Sequence, residues 1–77
     1  MFCVRIRKLR IDRGMSQREV ALQLNMSVSA IGMYEQGRRL PSLDLVVAYA
    51  DLFSVTTDYL LRGEETTVRV GPSKYAG

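Results

Sequence analysis

The sequence predicts an all-α domain of five short helices, the second and third forming a helix-turn-helix, and three observations carry that prediction. Between Gln17 and Gln36, apolar and small residues fall at Val20, Ala21 and Leu24, then again at Ile31 and Tyr34. This is the one-turn spacing that puts side chains on one helix face. Ser16, Ser27 and Ser42 each stand just ahead of a helical pattern, where a serine hydroxyl can accept an orphan backbone N–H. Gly14, Gly37 and Gly63 each stand just after one, where the chain can turn out of the helix.

The first helix reads as Arg5 to Arg13, with Ile6 and Leu9 inward and Arg/Lys outward, Phe2 beneath it and Gly14 closing it. Met15 is a buried link. Ser16 then caps the second helix, and Glu19, three residues on, completes an S-x-x-E capping box. Asn25 ends that helix, because Asn tolerates the left-handed backbone of a tight helix–helix turn, and small Ala21 lies where the two helices would cross. Ser27 caps the third helix, which runs from about Val28 to Gln36 and stops at Gly37. A helix-turn-helix places its second helix where it can enter the DNA major groove.

Arg38, Arg39 and Leu40 form a loop before Pro41, which suits the approach to a helix. Ser42 caps a fourth helix, Leu43 to Phe53, with Leu45, Val46, Ala48, Tyr49 and Leu52 mostly in the core. Ser54 and Val55 lead to the last helix, Thr57 to Arg62, with Asp58 near its start. Residues 1–63 are thus read as one helix-turn-helix domain and residues 64–77 as a tail. Within the tail, Thr66 to Val70 is β-branched and briefly alternating before Gly71, Pro72 and Ser73 break it. A lone strand has nothing to pair with in a helical domain. The tail is therefore either disordered or a strand that pairs with its counterpart in a second subunit.

Composition narrows the function classes. The 77 residues hold one small core, and 47% hydrophobic content argues against a disordered chain. Cys3 is the only cysteine, so no intramolecular disulfide forms, which points to a reducing cytoplasm. No apolar run approaches the roughly 18 residues that a membrane helix needs. The chain contains no histidine, Cys3 has no base beside it, and the acids are scattered without metal-ligand spacing. No catalytic residue, metal or cofactor is expected. The net charge of +3 is unevenly placed: residues 1–42 carry eight Arg/Lys against three Asp/Glu, and residues 43–77 carry three against five. A polyanion would be drawn to the half that contains the motif.

These residues together resemble the Cro/repressor-type, XRE-like helix-turn-helix regulators, whose fold is lambda-repressor-like. The resemblance rests on Ser16-Gln17, the V-A-x-x-L of Val20 to Leu24, the I-x-x-Y-E-x-G of Ile31 to Gly37, the R-R-x-P-S of Arg38 to Ser42 and the V-x-x-D-Y-L-L of Val55 to Leu61, within residues 4–63. It implies a DNA-binding transcriptional regulator, more often a repressor, acting as a homodimer on double-stranded DNA. It implies that Gln17 contacts phosphate and buttresses the reading helix, that the exposed face of the third helix touches bases, and that the loop after it contacts phosphate. The DNA-contacting residues would then be Gln17, Ser27, Val28, Ser29, Gly32, Met33, Gln36, Arg38 and Arg39. It also implies that Arg10 and Glu35 pair and tie the first helix to the third.

The chain departs from the family pattern at Val28 and Met33, where polar or basic residues are usual, at Gly32, where Ser or Thr is often found, and at Asn25, where Gly is commoner. Bidentate base contacts come from Arg, Lys, Asn and Gln, and only Gln36 remains near the third helix's end. Since the basic half must stay free for DNA, the dimer is expected through the acidic half, with Phe53, Val55 and Tyr59 in contact and Thr66 to Val70 extending the interface. Some regulators of this fold are antitoxins, so a second reading makes Glu64 to Gly77 a segment that binds a partner toxin.

Overall fold

A computed structural model describes residues 1–63 as five helices: α1 Phe2–Asp12, α2 Gln17–Leu24, α3 Val28–Glu35, α4 Leu43–Phe53 and α5 Thr57–Arg62. No strand occurs among the described residues. The strand expected at Thr66 to Val70 and the partner-binding segment expected at Glu64 to Gly77 lie outside them.

Four of the five helices begin with the same device. Ser16, Ser27, Ser42 and Thr56 sit in extended backbone, and each hydroxyl accepts the backbone N–H three residues on. At Ser16 the box is complete, since the Glu19 carboxylate also accepts the Ser16 N–H at 2.7 Å. Helix α1 begins without a side-chain cap and three residues earlier than its sequence pattern suggests. Its first turn is held by packing, because the Phe2 ring meets the edge of Tyr49 at 5.7 Å.

The helix ends also repeat one closure. After α1, Gly14 donates to the Ile11 carbonyl and Met15 to that of Arg10. After α3, Gly37 donates to Tyr34 and Arg38 to Met33. This double bond pair needs one residue in left-handed backbone. Gly14 and Gly37 supply it without strain, whereas Asn25 (φ 58°) and Ser54 (φ 56°) supply it as L-residues with a side chain.

The helices surround one core of Ile6, Val20, Ala21, Ile31, Tyr34, Leu45, Val46, Tyr49, Ala50, Phe53 and Leu60. Tyr49 is fully enclosed, stacked on Phe53 at 5.9 Å. Its hydroxyl has no hydrogen-bond partner among the described residues, and burial raises its pKa far above the ordinary phenol value, so the ring is neutral. The sequence pattern puts Ala48 and Leu52 in the core, but both are only partly buried, and Ala50 and Phe53 take the deeper places. This overturns the reading of Phe53 as a dimer contact. It is 1% exposed, with its ring against Tyr49 and under the Arg13 guanidinium at 5.3 Å, so no second subunit can reach it.

Ser54 offers a direct test of the closure geometry. An L-residue in left-handed backbone costs roughly 1–2 kcal/mol relative to its preferred conformations, a penalty glycine escapes, while glycine's freer unfolded chain offsets part of the gain. Ser54→Gly should therefore raise the unfolding free energy by about 0.5–1 kcal/mol in urea denaturation, and Ser54→Val should lower it.

Candidate nucleic-acid interface

Helices α2 and α3 pack against each other with Ala21 buried between them, where a larger side chain would hold them apart. The turn joining them is short because Asn25 takes the left-handed conformation and Ser27 at once caps α3, accepting the Ala30 N–H at 3.0 Å. The direction of α3 is thus set at its first turn.

The inward face of α3 carries Ile31, Tyr34 and Glu35. Glu35 is a carboxylate in the core, 7% exposed, and its charge is fully engaged. Arg10 of α1 donates through Nε to Oε2 at 2.6 Å and through Nη2 to Oε1 at 3.1 Å. The same Oε1 accepts from Gln17 Nε2 at 3.1 Å. Arg10 spends its remaining nitrogen on the Met15 carbonyl at 2.9 Å. The Glu35 hydrogen bonds, ahead of the opposing cost of burial, hold the Arg10 pKa above the ordinary guanidinium value, so the guanidinium stays protonated. One buried cluster therefore joins α1, the α1–α2 link, the start of α2 and the end of α3.

The outward face of α3 is what this cluster presents. Val28 (39%) and Met33 (38%) are exposed, as are Ser29 and Gln36, and Gly32 lies between them half-buried. Ser27 is exposed, but its oxygen already serves as the α3 cap. Gln17 adjoins Gly32: a Cβ built there would stand 3.9 Å from the Gln17 amide nitrogen. Just past the helix, Arg38 and Arg39 are exposed, and the Arg39 guanidinium lies over the Tyr34 ring at 5.7 Å. That stacking was not legible in sequence, since Tyr34 and Arg39 are brought together only when Gly37 turns the chain. Arg18, exposed and next to Gln17 in α2, is a further cation that the motif reading did not single out. Among the described residues, no three metal-ligating side chains converge, and no helix is long and apolar enough to cross a membrane.

This arrangement matches known proteins. A helix-turn-helix family model matches residues 6–60, from the first to the last core residue. The chain is similar to the HTH-type transcriptional activator BcrR of Enterococcus faecalis, 36% identical over 64 residues that span 83% of this chain and 31% of that protein. It is similar to the cryptic phage CTXphi transcriptional repressor RstR of Vibrio cholerae, 32% identical over 68 residues, 88% of this chain and 61% of that one. It is also similar to the uncharacterized HTH-type transcriptional regulator YazB of Bacillus subtilis, 38% identical over 61 residues, 79% of this chain and 88% of that one. The chain thus spans less than two thirds of the length of BcrR and RstR.

Breaking the buried cluster from one side leaves an uncompensated charge, which costs roughly 3–5 kcal/mol, whereas exposed pairs are worth about 0–1 kcal/mol. Arg10→Met and Glu35→Leu should each destabilise the domain by the larger amount. The double variant should recover much of the loss, read as a non-additive cycle in chemical denaturation.

Proposed function

The chain belongs to the XRE-type helix-turn-helix family, and from that premise we propose that it is a sequence-selective DNA-binding transcriptional regulator that works as a homodimer and represses. One observation supports this reading above the others: α3 offers an exposed face flanked by Gln17 and followed by two exposed arginines, while its other face is locked to α1 by a buried ion pair.

In this reading α3 enters the major groove. Gln17 has a second amide proton beyond the one donated to Glu35, and it points that proton at a phosphate. Arg38 and Arg39 neutralise phosphates on the far side of the groove, and the capped N-terminus of α2 adds its backbone dipole. One domain touches few base pairs, so two copies on a two-fold site, with half-sites about one helical turn apart, supply the affinity. The dimer forms through the acidic half, using Val55, Tyr59 and the exposed face of α5 rather than the buried Phe53. Occupying a site blocks other proteins from the same DNA without any additional contact, whereas activation requires a recruiting surface. Repression therefore needs the fewest parts. One relative is named an activator and another a repressor, so the shared domain supports DNA binding more directly than the sign of regulation.

Selection of bound duplexes from a random pool, with affinity measured across salt concentrations, tests the reading. A pseudo-palindromic site is the expected result, and no preference over random duplex at low salt would sink the proposal. Arg38→Ala and Arg39→Ala should weaken specific and nonspecific binding alike, each flattening the salt slope by about one unit. Leu61 on α5 is 50% exposed, and Leu61→Glu should weaken self-association in sedimentation equilibrium while leaving the helical circular-dichroism signal unchanged.

A further inference from the structure

We propose that α3 recognises the C5-methyl groups of pyrimidines in the major groove, with Val28 and Met33 as the reading groups and Gly32 as the point of closest approach. The inference rests on the DNA-binding reading above and adds the chemistry by which the bases are told apart.

Two independent observations carry it. The first is the chemistry of the exposed face. From Val28 to Met33 it holds an isopropyl group, a hydroxyl, a glycine and a thioether, with no guanidinium, ammonium or amide among them. Gln36 comes only at the helix cap. Hydrogen-bonded readout of guanine or adenine uses those missing groups, whereas an apolar side chain discriminates by contact with the thymine methyl. The cations stand apart at Arg38 and Arg39, where they meet phosphate rather than base edges.

The second observation is Gly32 itself. It lies in regular helical backbone, where glycine is among the least favourable residues. Nothing inside the domain demands it: an added Cβ would meet only the Gln17 amide, at 3.9 and 4.0 Å, which is ordinary contact. By contrast, Gly37 and Gly63 are held by left-handed backbone. A glycine with no internal reason, between two apolar groups on the exposed face of a reading helix, leaves room for something outside the domain. Without a Cβ there, the helix settles deeper, and the shorter Val28 and longer Met33 both reach base edges.

The selected site is the probe. Replacing thymine by uracil removes only the methyl, and at the positions under Val28 or Met33 it should weaken binding about fourfold per methyl, the factor equivalent to about 0.8 kcal/mol for one buried carbon. Placing 5-methylcytosine at the same position should bind more tightly than cytosine there. Val28→Ala should weaken the thymine site, and uracil opposite that variant should add little, because both changes remove one contact. Gly32→Ala should raise the melting temperature while weakening the selected site at least tenfold, opposite movements that a folding defect cannot produce. If uracil has no effect anywhere in the half-site while the thymine duplex still binds selectively, methyl reading is overturned and selectivity lies with Ser29, Gln36 or DNA shape. If Gly32→Ala leaves affinity unchanged, the close approach is overturned. Loss of all selective binding by the unaltered protein would instead overturn the DNA-binding reading.

Discussion

The buried carboxylate of Glu35 is the constraint on which the interface depends. A charge in the core is tolerated only when its partners replace the water it has lost, and Arg10 and Gln17 do this with three hydrogen bonds. Those partners come from α1 and from the first residue of α2, so satisfying one carboxylate positions three helices at once. The same arginine holds the Met15 carbonyl, which joins the α1–α2 link to the cluster. Replacing a buried ion pair by apolar groups is often neutral for stability, so the pair is weak evidence of net stabilisation, whereas its two-point geometry is directional. An apolar contact between α1 and α3 could slide. A bidentate guanidinium–carboxylate pair constrains both distance and direction, so it fixes α3 against α1.

The two faces of α3 divide the work accordingly. Ile31, Tyr34 and Glu35 anchor it, and Val28, Ser29, Gly32, Met33 and Gln36 face outward, because side chains three or four residues apart share a face. Tyr34 connects the two sides, since its ring is part of the core and also carries the Arg39 guanidinium. Stacking restrains an exposed arginine side chain that would otherwise sample many rotamers. The exposed surface thereby separates two kinds of chemistry: charge on the loop at Arg38 and Arg39, and mostly apolar or small groups on the helix at Val28, Gly32 and Met33.

The acidic half has a different task. Helices α4 and α5 fill the core through Leu45, Val46, Tyr49, Ala50, Phe53 and Leu60, and α5 is tied back to the first helix by Arg5, which donates to the Leu60 carbonyl at 3.1 Å. Gly63 stands in left-handed backbone (φ 78°), the conformation that favours glycine, with the Arg5 guanidinium passing close beside it. With both ends of the domain joined, the interface on α2 and α3 is presented by a single rigid core.

What the sequence determined by itself is local. The serine caps, the Gly14 and Gly37 closures, the left-handed Asn25 and the extents of α2, α4 and α5 follow from interactions within a few residues, so spacing alone reveals them. The outward face of α3 is legible for the same reason, as one side of a helical period. Tertiary structure decided whatever depends on distant partners. Phe53 reads as a surface residue at a helix end, yet Tyr49 and Arg13 close over it. Helix α1 starts at Phe2 because Tyr49 lies 47 positions away in sequence and 5.7 Å away in space. The left-handed turn at Ser54 carries no glycine or asparagine to announce it, and packing of α5 against α4 holds it there. The third hydrogen bond of Arg10 and the seat of Arg39 on Tyr34 likewise exist only after the helices have met, since no local pattern encodes a contact whose two halves are brought together by the core.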